Sequence, residues 1–165
     1  MVNQKTAVAL TGRSGEELEE YKKLLLKLNN EVVAAAPEDL LINTHVCRGN
    51  YHSTFFSSGA YDSVAELLFG EENVNAYYLE YDDERSGGFA PLAKVTGDKK
   101  VVLGLITTKT PELEDREKVI NRIHQAAKYI PLDRLYLSPQ CGFASCEIGN
   151  KLTEKQQWAK LALVK

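Results

Sequence analysis

The chain has 165 residues, of which 44% are hydrophobic and 26% charged, so it is long and apolar enough to fold as one domain with a core. Its formal net charge of −3 and the lack of a basic stripe argue against nucleic-acid binding, and no apolar run approaches the ~20 residues that cross a bilayer. Three cysteines without a secretory leader favour the reducing cytoplasm, with free or metal-bound thiols.

The first half of the chain predicts helices alternating with short strands. After an apolar run over 6–10, Ser14 can cap a helix whose leucines recur at helical spacing and which Pro37 would stop. The apolar run over 39–44 predicts a buried strand that ends at His45 and Cys47. A polar loop over 48–59, a helix over about 62–69 and a strand over 76–81 follow.

The second half of the chain repeats this alternation. Residues 100–107 are almost continuously apolar, which is typical of a parallel strand buried on both faces. The acids after Pro111 favour a helix that runs from there to Pro131, followed by a strand over 134–138. Thr153 and Gln156 then form the capping-box pattern of a last helix. The whole pattern predicts an α/β fold of four parallel βα units, in a single domain over 1–165.

Polar side chains follow three of the predicted strands, at the edge where βα folds collect their chemistry. His45 and Cys47 are two residues apart, so a strand would point both side chains the same way. Glu80 ends the second strand and Cys141 follows the fourth. Imidazole, thiolate and carboxylate are the donors that zinc takes in tetrahedral sites, so these four residues predict a zinc site assembled by the fold.

Each of these residues also has a simpler interpretation. A lone cysteine is commonly a small buried hydrophobe, a lone histidine is commonly hydrogen-bonded, and Glu80 alone could form a salt bridge. Cys146 is interpreted as structural, with an alternative role as a ligand, and His52 and His124 as solvent-facing or outside the ligand set. The run over 82–85 is most simply a solvated turn whose acids could also orient the edge.

Three motifs resemble the C-terminal domain of cobalamin-independent methionine synthase. They are His45-Val46-Cys47, Leu79-Glu80-Tyr81 and Ser138-Pro139-Gln140-Cys141-Gly142-Phe143, while the runs over 82–87 and 107–112 resemble the family's short, single-barrel relatives. The resemblance begins near Glu17 and implies a (βα)₈ barrel with zinc held by His45, Cys47, Glu80 and Cys141. It also implies transfer of a methyl group from a methyl-tetrahydrofolate to the sulfur of homocysteine, which gives methionine.

Two departures from the family's pattern shape the expectation. Lys109 stands where the long enzymes carry a histidine proposed as a proton donor, so the resemblance implies a catalytic or anion-binding role for it.

A complete barrel needs ~250 residues, so four predicted strands correspond to its C-terminal half, with two open sheet edges. We expect a second copy or a complementary half-barrel to cover them. The alternative is a truncated, non-catalytic zinc-binding or structural remnant.

Overall fold

A parallel sheet of four strands organises the computed structural model, which describes residues 3–165. The strands lie side by side in chain order, and each is parallel to its neighbour. They are β1 (Asn43–Val46), β2 (Ala76–Glu80), β3 (Lys100–Ile106) and β4 (Leu135–Pro139). All four carboxyl ends therefore meet at one edge, and the predicted parallel α/β fold is confirmed.

Within residues 3–165, five α-helices accompany the sheet. They are α1 (Gln4–Thr11), α2 (Gly15–Ala34), α3 (Ala65–Glu71), α4 (Arg116–Ala126) and α5 (Glu154–Val164). The capping box of α5 forms as predicted: Thr153 accepts from the N–H of Gln156, whose side chain accepts from the N–H of Thr153. Ser14 lies at the predicted N-cap of α2, but its side chain caps no backbone N–H there. No helix in the described part of the chain is long and apolar enough to span a membrane.

Three predicted boundaries are wrong by four or five residues. α4 ends at Ala126 rather than at Pro131, and two elements begin later than predicted, for identifiable reasons. β1 begins at Asn43 rather than at residue 39, because Leu40 and Leu41 remain 55% and 75% exposed and take no part in the sheet. α4 begins at Arg116 rather than near Pro111, because Asp115 caps it by accepting from the N–H of Lys118.

The hydrophobic core lies between the sheet and the helices. Leu79 and Leu103 are adjacent in the register and both are almost completely buried. The opposite face of the sheet is more open: Tyr78 is adjacent to His45 in the register and is 41% exposed. Within the described residues, β1 and β4 each pair along one side only, so both sheet edges are open.

Candidate metal centre

The first part of the site follows β1. His45 lies on the strand with its side chain exposed, and Cys47 lies one residue beyond the strand and is half-buried. The backbone N–H of Gly49 donates to the Sγ atom of Cys47 at 3.4 Å. Since alternate residues of an extended chain share a face, the imidazole and the thiol project to the same side, as the sequence predicts.

The second part of the site follows β4. Cys141 has a left-handed backbone with φ 54°, as does Gly142 with φ 82°, so the chain turns sharply just after the strand. This turn brings the Sγ atom of Cys141 to 3.4 Å from the Nε2 atom of His45. The possible ligand atoms of His45, Cys47 and Cys141 all lie within 4.8 Å of one another, so these three side chains could hold a metal ion.

Hydrogen bonds within this group alter the ionisation of its members. Cys141 donates to Cys47, and with a further contribution from His45 this lowers the pKa of the Cys47 thiol to about 4. The same bond, together with burial, raises the pKa of the Cys141 thiol. The bond to Cys47 raises the pKa of His45, although burial opposes it. These hydrogen bonds thus favour the thiolate form of Cys47 and the charged form of His45.

Glu80 ends β2 beside this group and is fully buried. Its Oε2 atom accepts from the backbone N–H of Arg48 at 2.5 Å and from the Nε2 atom of Gln140 at 3.2 Å. Burial raises the pKa of the Glu80 carboxyl, and the Arg48 N–H and the charge of Lys109 oppose that rise. Glu80 is not one of the three clustered donors. Its role as a fourth ligand stays a prediction.

Two cations face the other oxygen of Glu80. The Oε1 atom lies 3.2 Å from a guanidinium nitrogen of Arg85 and 3.7 Å from the Nζ atom of Lys109. Lys109 also donates to Asp82 at 2.8 Å, and the Asp82 side chain is completely buried. The predicted solvated turn over 82–85 is thus only partly exposed: Asp83 faces solvent, whereas the side chain of Asp82 is buried and that of Arg85 lies against Glu80.

The remaining histidines and the third cysteine lie outside the clustered donors. Cys146 is half-buried and free, and His124 is exposed on α4. The Nδ1 atom of His52 lies 2.8 Å from the carbonyl oxygen of Gly149, which ties the loop after β1 to the loop after β4.

Two residues that support the site do not stand out in the sequence. Tyr61 is fully buried; its hydroxyl donates to the carbonyl oxygen of Val46 at 2.7 Å and accepts from the N–H of Glu80 at 2.8 Å. Gln140 lies next to Cys141 and donates to its Sγ atom at 2.7 Å. The position of Gln140 next to a predicted ligand is the one feature of the sequence that indicates its role. No local sequence feature indicates the role of Tyr61.

A family model described as the catalytic domain of cobalamin-independent synthase matches residues 19–162. The chain belongs to this family. Protein YxjG of Bacillus subtilis, itself described as uncharacterized, is 51% identical over 148 residues, which cover 89% of this chain and 39% of that protein. The methionine synthase of Pyrococcus horikoshii is 23% identical over 101 residues, covering 61% of this chain and 26% of that enzyme.

Two solved structures share the fold of this cobalamin-independent synthase domain. A protein of Listeria monocytogenes assigned as a vitamin-B12-independent methionine synthase is 39% identical to this chain, with a TM-score of 0.65. The match covers 93% of this chain and 41% of the Listeria chain. A B12-independent methionine synthase of Shewanella, solved in complex with selenomethionine, has a TM-score of 0.67 at 20% sequence identity. The match covers 88% of this chain and 42% of the Shewanella chain. The chain thus spans about two fifths of these structures, and it resembles the C-terminal half of the catalytic domain.

Proposed function

We propose that His45, Cys47, Glu80 and Cys141 bind zinc, and that this site activates the thiol of homocysteine for methyl transfer. The methyl donor would be a methyl-tetrahydrofolate and the product methionine. The observation that carries the proposal is the meeting of His45, Cys47 and Cys141, whose donor atoms lie within 4.8 Å of one another. Membership of the cobalamin-independent synthase family supports the reaction class.

The donor set fits zinc. One imidazole and two sulfurs are ligands of the borderline-soft kind that zinc takes in four-coordinate sites, and Glu80 would supply an oxygen as the fourth. Cys47 already favours its thiolate form, which is the form of cysteine that binds metals. Zinc, when bound, would supply the positive charge that lowers the pKa of a substrate thiol and keeps its sulfur nucleophilic at neutral pH.

The surrounding residues would orient the site and balance its charge. The N–H of Arg48 and the amide of Gln140 hold one oxygen of Glu80, and they make that carboxylate the ligand with the most competing partners. Lys109 is fixed by Asp82 and points at the other oxygen, so it presents a buried cation at the edge where substrates would enter. We propose Lys109 as the residue that binds an anionic group or supplies a proton there.

The open sides of β1 and β4 favour a second candidate function. In it, the chain binds zinc but does not turn over alone, because a complementary half-barrel or a second copy must first pair with these edges. Methionine formation from homocysteine by the isolated chain, with a methyl-tetrahydrofolate, would support the first candidate. Formation only after mixing with a complementary half would support the second, and a screen of other methyl donors and thiol acceptors tests the substrate assignment.

Zinc content per chain, measured by elemental analysis beside light scattering, tests the metal site. We expect about one zinc per chain in the wild type, as in a four-ligand structural or catalytic site, and loss of zinc in the Cys47→Ser and Cys141→Ser variants. Cys146→Ser is the matched control and should keep the wild-type content, because Cys146 lies outside the clustered donors. Wild-type protein that stays zinc-free after reduction and reconstitution would refute the site.

A further inference from the structure

Gln140 is the one side chain that donates to both Cys141 and Glu80 among the described hydrogen bonds. It is only 1% exposed. Its Nε2 atom lies 2.7 Å from the Sγ atom of Cys141 and 3.2 Å from the Oε2 atom of Glu80. The two N–H bonds of one amide group thus reach two of the residues proposed as zinc ligands, which come from different strands.

The backbone of Gln140 is fixed on both sides of the residue. Its N–H donates to the carbonyl oxygen of Ile106 at 2.8 Å, and its own carbonyl oxygen accepts from the hydroxyl of Thr108 at 2.6 Å. That hydroxyl in turn accepts from the side chain of Asn50 at 3.0 Å. The end of β3 and the loop after β1 therefore determine where Gln140 lies, independently of any metal.

Gly104 on β3 leaves the space that the Gln140 side chain occupies. A Cβ atom at residue 104 would lie 2.5 Å from the Oε1 atom of Gln140 and 2.8 Å from the carbonyl oxygen of Leu79. Since real Cβ atoms do not approach oxygens this closely, any larger residue at 104 would press on both the Gln140 amide and the backbone of β2. The Gln140 amide can therefore occupy its observed position only because residue 104 has no side chain.

We propose that Gln140 is a positioning residue, which sets the Cys141 sulfur and the Glu80 carboxylate in the relative orientation that metal binding needs. This inference rests on the proposed zinc site. A neutral amide suits the task, because it donates to the Cys141 sulfur and to the Glu80 carboxyl group without adding a charge. Partners that orient metal ligands in this way commonly contribute 10-fold to 100-fold to metal affinity.

The test compares the wild type with Gln140→Met, which keeps an unbranched side chain and removes both donors. Zinc affinity is measured by competition with a chromophoric chelator, and we expect it to fall about 10-fold to 100-fold. Cobalt(II) in place of zinc gives ligand-field and thiolate charge-transfer bands, which should shift in position or intensity. Gln125→Met, on the exposed surface of α4, is the matched control and should change neither measurement.

Gly104→Ala provides a second variant, measured in folded protein, because the new methyl group meets the Gln140 amide and also the carbonyl oxygen of Leu79. We expect the same direction of change in affinity and cobalt spectrum, whereas Gly70→Ala, where no atom lies within 4 Å of the new Cβ, should have no effect. Wild-type affinity and spectrum in folded Gln140→Met, or weaker binding with an unchanged cobalt spectrum, would overturn the positioning role. Failure of the wild type itself to bind zinc would instead refute the proposed function, and this inference with it.

Discussion

The Nε2 atom of His45 lies 3.4 Å from the Sγ atom of Cys141, although the two residues are 96 positions apart in the chain. His45 belongs to β1 and Cys141 follows β4, and these strands occupy opposite ends of the sheet with β2 and β3 between them. The contact therefore depends on the curvature of all four strands. A metal bound there would link the two outer strands of the sheet, so metal binding and folding should be coupled.

Zinc should protect two of the three cysteines from alkylation. If Cys47 and Cys141 are ligands, zinc should slow their reaction with iodoacetamide, because coordination turns each sulfur toward the ion and away from the reagent. Cys146 is also a free, half-buried thiol in the same chain and should react at the same rate with and without zinc. Mass spectrometry of the alkylated peptides measures each rate.

The pattern of protection can also contradict the assignment. Protection of Cys146 instead of Cys141 would show that the alternative cysteine is the ligand. Equal protection of all three thiols would indicate a general change in exposure rather than coordination. The prediction requires protection confined to Cys47 and Cys141, lost again when a chelator removes the zinc.

Tyr61→Phe should destabilise the protein by about 1–3 kcal/mol, because it removes one oxygen that satisfies two buried backbone groups. The Tyr61 hydroxyl donates to the carbonyl oxygen of Val46 and accepts from the N–H of Glu80. These two hydrogen bonds join the end of β1 to the end of β2. Chemical denaturation measures the free energy of unfolding. Tyr51→Phe, at a residue that is 64% exposed, is the control and should change it by less than about 0.5 kcal/mol.

The central strands could be predicted from the sequence almost to the residue. The sequence predicts β3 over 100–107, and the strand spans Lys100–Ile106. The two agree because six of its seven residues are buried and are apolar or glycine, so hydrophobicity and burial coincide there. β1 was predicted four residues too early for the opposite reason. Leu40 and Leu41 are apolar but exposed, and hydrophobicity without burial carries no information about pairing.

The candidate site, too, could be predicted only in part. His45, Cys47 and Cys141 could be brought together from the sequence, since parallel strands carry their carboxyl ends to a common edge. The contacts around Glu80 could not be predicted from the sequence. Gln140 reaches Glu80 across 60 positions of the chain, and Arg85 does so through a loop that folds back onto its own strand. Such contacts depend on loop conformation and side-chain rotamers, which leave no periodic signal in the sequence.

Lys160→Met should destabilise the protein by about 2–3 kcal/mol, because it removes the buried cation that pairs with Glu114, whose side chain is 19% exposed. Lys160 on α5 is fully buried; its Nζ atom lies 3.0 Å from both carboxylate oxygens of Glu114 and 2.6 Å from the carbonyl oxygen of Glu112. Lys155→Met, at an exposed position of the same helix, is the matched control. Equal unfolding free energies for the two variants would mean that the buried pair contributes nothing net.

Glu72→Gln should stabilise the protein at neutral pH. The Glu72 side chain lies between α2 and the sheet, with an exposure of only 1%, and accepts from Asn29 at 3.3 Å. Burial raises the pKa of this carboxyl above its usual value of 4.5. The folded state thus holds the proton more tightly than the unfolded state, so stability falls as pH rises from 4.5 through the folded pKa. Above that pH the full cost is present, at about 1.4 kcal/mol for each unit of the shift.

Denaturation at a series of pH values measures this cost. The advantage of Glu72→Gln over the wild type should be largest at pH 7, should shrink as the pH falls through the folded pKa toward 4.5, and should vanish below 4.5, where the Glu72 carboxyl becomes neutral in both the folded and the unfolded state. Glu71→Gln, at the exposed neighbouring residue of α3, is the control and should shift the curve by less than about 0.5 kcal/mol at any pH. Parallel pH profiles for the wild type and Glu72→Gln would contradict the prediction, because they would mean that Glu72 binds its proton equally well in the folded and unfolded states.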